Sequence, residues 1–122
     1  MKISEALGRV DVLFYNTFSA AEKIAWLSRL DHQIKRNIID THEGGDVVFS
    51  GYDADTDGNT ELLVPEPYDA MYLHWLQAQM ELNLKETENY NASILAFNAE
   101  YEAFENDWNR NHMPKGCGRF RF

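Results

Sequence analysis

The longest regular pattern of apolar and polar positions lies between Thr87 and Arg110, where large apolar residues recur at intervals of four and three. The spacing places them on one stripe of an α-helix, while asparagine, glutamate and aspartate fill the opposite face. Because an isolated helix of this length is marginal in water, the stripe predicts a broad apolar partner surface elsewhere in the chain. The stripe consists of Tyr90, Ile94, Phe97, Tyr101, Phe104 and Trp108.

Residues 67–85 predict the helix that supplies this surface. Pro67 is a favourable first residue, since its missing N–H would be unpaired in the first turn of a helix. The apolar arc that follows is wide, which indicates contact with more than one neighbouring element. The segment Glu86-Thr87-Glu88 separates this helix from the last one, with Thr87 as the expected cap. Two stripes form the arc, one of Tyr68, Tyr72, Trp75 and Leu82 and one of Leu73, Leu76, Met80 and Leu84.

The first forty residues predict two more helices, at about 3–15 and 19–40. Ser4 lies near the expected start of the first, and Ser19 with Glu22 has the pattern of a capping box for the second. In the second helix Asp31 stands at a stripe position between Leu27 and Ile34. Such an interrupted stripe suits globular packing better than a coiled coil.

Between these helices and residue 67 the pattern changes. Gly44-Gly45 ends the helical spacing, and two short apolar runs of β-favouring type follow, Val47-Val48-Phe49 and Leu62-Leu63-Val64. An acidic loop separates them. This arrangement predicts a small β-hairpin at about 46–64.

The fold class predicted is therefore mainly α. We expect a bundle of about four helices, a small hairpin and an extended C-terminal arm, because Pro114, Gly116 and Gly118 cannot continue the last helix. Residues 1–110 form one helical domain with the hairpin as an insertion, and residues 111–122 form the arm. The helices are expected at about 3–15, 19–40, 67–85 and 87–110.

Charge is unevenly distributed along the chain. Residues 110–122 contain no acid and four basic residues, and removing these charges from the net charge of −9 leaves −13 for residues 1–109. An acidic body repels nucleic acid and anionic membranes, whereas the basic end suits an acidic groove on another protein or on a neighbouring copy. A solvated acidic surface with a frayed tail is the alternative. The four basic residues are Arg110, Lys115, Arg119 and Arg121.

The end of the arm alternates charged and aromatic residues. If it is extended, Phe120 and Phe122 face one side and the arginines face the other. This pattern suits addition to the edge of a partner's sheet or insertion of aromatic anchors, with an unordered terminus as the alternative. The candidate partner-binding residues are Lys115, Arg119, Phe120, Arg121 and Phe122.

One acidic stretch matches the first half of a calcium-binding loop. Asp53, Asp55 and Asp57 take positions one, three and five, and Gly58 takes position six. Val64 stands at position twelve, where a bidentate glutamate belongs, so two of the usual oxygen ligands are missing. A polar hairpin turn is the preferred interpretation. A calcium-binding interaction module that uses the Asp53–Glu61 loop is the alternative.

Other chemistry has little support in the sequence. No phosphate-binding loop, nucleophile elbow or paired catalytic set appears, so we expect neither an enzyme nor a cofactor. The single cysteine, Cys117, cannot form an internal disulfide, which fits a reducing compartment. No apolar run approaches the roughly 20 residues that a membrane span needs, so no membrane partner is expected.

Several short sequence phrases resemble those of small proteins encoded beside capsid genes in long-tailed phages of Gram-positive hosts. These are head-to-tail connector proteins, also called adaptor or head completion proteins. The resemblance covers most of the chain, and it is weakest from Cys117 to Phe122. Its phrases are Glu5-Ala6-Leu7-Gly8-Arg9-Val10-Asp11, Trp26-Leu27-Ser28-Arg29-Leu30-Asp31, Glu61-Leu62-Leu63-Val64-Pro65, Pro67-Tyr68-Asp69, Tyr90-Asn91, Phe97-Asn98, Tyr101 and Asn109-Arg110-Asn111-His112-Met113-Pro114.

The resemblance implies a structural virion protein of the neck, assembled in the host cytoplasm. It implies a homo-oligomeric ring, commonly of twelve subunits, between the portal protein and a downstream stopper or tail protein. It also implies that a terminal arm grips the portal and that DNA passes through the lumen without sequence-specific binding. An acidic body is compatible with that passage, because it does not retain a polyanion.

Overall fold

A computed structural model of the chain describes residues 1–40 and 49–111. Within these ranges the mainly α class and the number of α-helices are as predicted. A π-helical turn, Lys35–Ile39, extends the second helix, and a 3-10 turn, Tyr68–Ala70, leads into the third. The predicted arm lies outside the described residues, except for Asn111, which ends the last helix. The helices are α1 (Ile3–Leu13), α2 (Ala20–Ile34), α3 (Met71–Asn83) and α4 (Thr87–Asn111).

Helices α3 and α4 form an antiparallel helical hairpin that contains the predicted aromatic stripe. The ring centroids of Trp75 and Phe97 lie 5.1 Å apart, and those of Tyr68 and Phe104 lie 6.0 Å apart. Phe97 and Phe104 are 6% and 2% exposed, so the stripe of α4 is used inside the protomer. Burial of this aromatic surface supplies the packing that a 25-residue helix needs.

The turn between α3 and α4 lies where the sequence predicts a break. Lys85 has a φ of +61°, in the left-handed region that commonly ends a helix, and the Glu86 N–H donates to the Glu81 carbonyl at 2.9 Å. The predicted cap is wrong by one residue. Thr87 already belongs to α4, and the Glu86 carbonyl accepts the first helical hydrogen bond, from the Tyr90 N–H at 2.9 Å.

The predicted cap of α2 is confirmed, whereas the predicted cap of α1 is wrong. Ser19 caps α2 as predicted, because its Oγ accepts from the Glu22 N–H at 3.2 Å. Ser4 does not cap α1. The cap position is Lys2, whose N–H donates to Glu5 Oε1 at 3.2 Å, and Ser4 lies inside the helix.

The predicted β-hairpin at about 46–64 is wrong. Residues 41–48 lie outside the described residues, and residues 49–64 contain no strand; only an isolated bridge joins Lys2 to Glu61. The backbone N–H groups of the second apolar run bind elsewhere. The Leu62 N–H donates to the Met1 carbonyl at 2.9 Å, and those of Leu63 and Val64 donate to side chains of α2 and α3. Because these donors are already satisfied, a strand partner is not required.

The core lies where α1, α2 and the segment 62–64 meet α3. Lys23 of α2, which is 4% exposed, links the first two helices through an ion pair of 2.6 Å between its Nζ and Asp11 Oδ1. The largest wholly buried aliphatic side chains come from all three helices and from the π-helical turn. They include Ile3, Leu27, Leu30, Ile34, Ile38, Met71 and Leu76.

Candidate functional site

The partner-binding residues predicted in the arm lie outside the described residues. This applies to the whole set. The set is Lys115, Arg119, Phe120, Arg121 and Phe122.

The calcium candidates Asp53, Asp55 and Asp57 are exposed and lie on one loop. Asp53 Oδ1 accepts from the Asp55 N–H at 2.9 Å and from the Thr56 hydroxyl at 3.2 Å. Asp57 Oδ1 accepts from the Asn59 N–H at 2.9 Å. Two of the three carboxylates therefore stabilise their own turns, as aspartates commonly do in loops. In residues 1–40 and 49–111 no group of three or more histidine, cysteine or acidic side chains could hold a metal ion.

A buried carboxylate, Asp31, is the centre of the polar interactions in the core. Its side chain is completely buried and accepts three hydrogen bonds. The Tyr72 hydroxyl donates to Oδ1 at 2.7 Å, and the Tyr52 hydroxyl and the Leu63 N–H donate to Oδ2 at 2.6 and 3.2 Å. The Tyr72 oxygen in turn accepts from the Val64 N–H at 2.8 Å. These five residues, which we call the Asp31 cluster, join α2 and α3 to residues 52, 63 and 64.

Burial sets the protonation behaviour of the Asp31 cluster. Removal from water raises the pKa of Asp31 above its ordinary value of 3.8, although the hydrogen bonds from Tyr52 and Tyr72 act in the opposite direction. Burial, together with the nearby carboxylate, also raises the pKa of Tyr52 and of Tyr72 well above 10. Both phenols therefore remain protonated donors at neutral pH. The Asp31 side chain is fully buried and both of its oxygens accept hydrogen bonds, which fits a structural role.

Sequence reasoning did not identify the Asp31 cluster. The available signal was the acidic residue at a stripe position between Leu27 and Ile34, which predicted only imperfect packing. The partners of Asp31 lie 21, 32 and 41 positions later in the chain, and no helical or strand spacing relates them. Because a buried polar group needs hydrogen-bond partners, a lone acid on an apolar stripe indicates that donors from elsewhere in the chain reach it.

The outer surfaces of the helices are the remaining candidates for function. On α1, Val12 and Leu13 are 86% and 71% exposed, and they line a shallow depression together with Glu5, Gly8 and Arg9. On α4, Leu95 is 69% exposed. Exposed aliphatic side chains that lie together on one surface are typical of protein–protein contacts.

A second exposed apolar area lies at the turn between α3 and α4. Leu82 and Leu84 are 52% and 51% exposed, and a small depression beside them includes Glu86 and Tyr90. No helix in the described ranges has the length and apolar character required to cross a membrane.

Comparisons of the chain with protein-family models, with curated proteins and with solved structures found no match. The assignment of function therefore depends on the residues and contacts of this chain.

Proposed function

We propose that this protein is a non-enzymatic structural protein of a phage virion, a head-to-tail adaptor. It assembles into a ring that connects the portal protein to the next neck or tail protein. The resemblance of its sequence phrases to connector proteins motivates this assignment. One structural observation supports the assignment most directly. The aromatic stripe of α4 is buried against α3, whereas other apolar side chains remain exposed on α1 and α4.

This division favours a role in assembly. An enzyme or a small-molecule carrier needs a concave site lined by side chains that are free to contact the ligand. Here Phe97 and Phe104 are in contact with other rings, and the Asp31 carboxylate already accepts three hydrogen bonds. On the described helices the exposed apolar side chains lie on open, shallow surfaces, which suit contacts with other proteins.

The charge distribution supports the same proposal. The net charge of residues 1–109 is −13, and a ring built from this body would give the passing DNA no attractive surface. Binding of the phosphate backbone requires lysine and arginine side chains, and these are outnumbered in the body. The basic and aromatic arm instead provides the docking segment for the portal, with Phe120 and Phe122 as anchors and the arginines as charged contacts.

Truncation of the arm tests the proposal. Deletion of residues 115–122 should leave the helical domain folded, because the Asp31 cluster and the α3–α4 hairpin do not include them. The same deletion should abolish co-sedimentation with portal rings of the phage that encodes this chain. The double variant Phe120→Ala with Phe122→Ala should weaken it strongly, since two aromatic anchors are lost.

Leu84→Ser is the matched control for that variant, because it removes an exposed apolar side chain from the α3–α4 turn. It should leave portal binding unchanged. Undiminished portal binding by the truncated chain would exclude the arm as the docking segment. A chain that stays monomeric in mass measurements both with and without portal would contradict the ring.

A further inference from the structure

The outer side of α1 is not covered by any other described element. Its opposite side is buried through Ile3, Ala6 and Val10. A Cβ added at Gly8 would meet nothing within 4 Å, so the backbone is open to close approach at this point. A helix of 11 residues with apolar side chains on both sides is typical of one that packs against two neighbours. We call the residues of this outer side the α1 face: Glu5, Gly8, Arg9, Val12 and Leu13.

The outer side of α4 is also uncovered. It lies opposite the buried Phe97 and Phe104, and three of its residues are alanines. Small residues allow the backbone of a second helix to approach closely, and Leu95 adds an exposed apolar side chain. All residues of this outer side are exposed. We call them the α4 face: Ala92, Leu95, Ala99, Glu102, Ala103 and Asn106.

The two faces match each other in size and charge when the helices run antiparallel. We propose that the α1 face of one copy packs antiparallel on the α4 face of a second copy, with Gly8 opposite Ala103 and Arg9 opposite Glu102. In this register the smallest residue of α1 meets a small residue of α4. Val12 then lies opposite Ala99, and Leu13 lies beside Leu95. Helices pack in this way when large side chains of one enter spaces left by small side chains of the other.

The charge pair of Arg9 and Glu102 fixes the register, and the residues around it select the antiparallel direction. Among the described residues neither Arg9 nor Glu102 has an ion-pair partner, and both are exposed. A parallel pairing of the same two residues would place Val12 opposite Glu105. It would also place Gly8 opposite Tyr101, which lies on the side of α4 that faces the core. The antiparallel register avoids both conflicts.

The α4 face of the same copy is excluded as the partner, because α1 and α4 of one copy do not contact each other. The match in size and charge between the two faces therefore identifies a second copy as the partner. The contact joins two different faces. In a pair, the copy that uses its α1 face still has a free α4 face, and the other copy still has a free α1 face. Heterologous contacts of this kind close into rings when the rotation between copies permits it. The inference rests on the proposed ring and deepens it, since it names the surfaces that join neighbouring subunits.

Disulfide trapping tests the contact. In a full-length Cys117→Ser chain, the pair Gly8→Cys with Ala103→Cys should give a ladder of dimers, trimers and larger species after exposure to oxidised glutathione. A disulfide requires Cα atoms about 4.4–6.8 Å apart, which the proposed register provides. The control pair is Gly8→Cys with Ala92→Cys, which moves the second thiol 11 residues, or about 16 Å, along α4. Equal trapping of both pairs, or of neither, would overturn the contact.

Charge reversal provides a second test that does not depend on thiols. Arg9→Glu alone and Glu102→Arg alone should each raise the concentration needed for self-association by about tenfold. A mixture of the two single variants should associate through the restored pair between them. Arg36→Glu is the control for Arg9→Glu, because Arg36 is exposed, lies on neither face, and its substitution changes the net charge by the same amount.

These outcomes separate the contact from the ring itself. If the wild type forms a ring and both Arg9→Glu and Glu102→Arg form rings of the same mass, the proposed contact is wrong and the ring itself is retained. A wild-type chain that stays monomeric with and without portal would overturn both. Loss of association by either single variant, with recovery in the mixture, would support the contact.

Discussion

The Tyr72 hydroxyl lies 2.7 Å from Asp31 Oδ1, although the two residues are 41 positions apart in the chain. The same hydroxyl accepts from the Val64 N–H at 2.8 Å. Tyr72 therefore joins α2, α3 and the segment before α3 through one oxygen atom. Buried networks of this kind stabilise a unique arrangement because every member is satisfied.

Tyr72→Phe should destabilise the fold by about 2 kcal/mol, since it leaves the buried Val64 N–H without an acceptor and removes one donor from Asp31. The free energy of unfolding in urea is the appropriate measurement. Tyr15→Phe is the control, because Tyr15 is 88% exposed, and its effect should stay within about 0.5 kcal/mol. Equal effects of the two substitutions would contradict a structural role for the Asp31 cluster.

The stability of the wild type relative to Asp31→Asn should depend on pH. Burial raises the pKa of Asp31 in the folded state above its ordinary value of 3.8. The folded protein therefore holds this proton at pH values where the unfolded chain releases it. The contribution of Asp31 is complete below pH 3.8, and it falls as the pH rises through the raised pKa. Unfolding in urea should show that the difference in free energy of unfolding between the wild type and Asp31→Asn shrinks as the pH rises. A difference that does not change with pH would contradict the raised pKa of Asp31.

Asp11 should behave in the opposite sense. The hydrogen bond from Lys23, together with that from Asn16, lowers the pKa of Asp11 in the folded state. Its contribution is therefore present above pH 3.8 and is lost as the pH falls through the lowered pKa. Comparison of the wild type with Asp11→Asn over the same pH series should show this trend. If the stability advantage of the wild type over Asp11→Asn grew toward acid pH, the ion pair with Lys23 could not be its cause.

Asp53 and Asp57 are expected to stabilise the turns in which they lie, through hydrogen bonds to nearby residues of the same loop. Asp53→Asn should retain stability, because the amide oxygen can still accept from the Asp55 N–H, whereas Asp53→Ala should lose up to about 1 kcal/mol. Millimolar calcium should leave the Tm of the wild type unchanged. Calorimetry would detect the alternative directly: calcium uptake that Asp53→Asn removes would support the calcium-binding module.

Gly8→Ala should stabilise the isolated protomer by about 0.5–1 kcal/mol, since alanine favours a helix and the added Cβ would meet nothing within 4 Å. Thermal unfolding at concentrations below self-association would measure this gain. The Gly58→Ala variant is a useful contrast, because its Cβ would lie 3.3 Å from Ser4 Cβ. Destabilisation by Gly8→Ala in the monomer would show that the outer side of α1 is covered within the protomer.

The sequence by itself determined the helices and the main packing partner of the longest one. The spacing of Phe97, Phe104 and their neighbours defines a stripe, and the wide apolar arc from Tyr68 onward supplies its counterpart. These features depend on residues close together in the chain, so periodicity reveals them. The Ser19 cap was predictable for the same reason.

Only the tertiary structure determined the conformation and the hydrogen bonds of residues 62–64. Their apolar, β-favouring sequence predicted a strand, but the Leu63 and Val64 N–H groups bind Asp31 and Tyr72. Backbone N–H groups donate to whichever acceptor the fold brings near, and here those acceptors lie 32 and 8 positions away. The buried acid of α2 and the tyrosine of α3 meet only after the helices pack, so no local pattern could have placed them together.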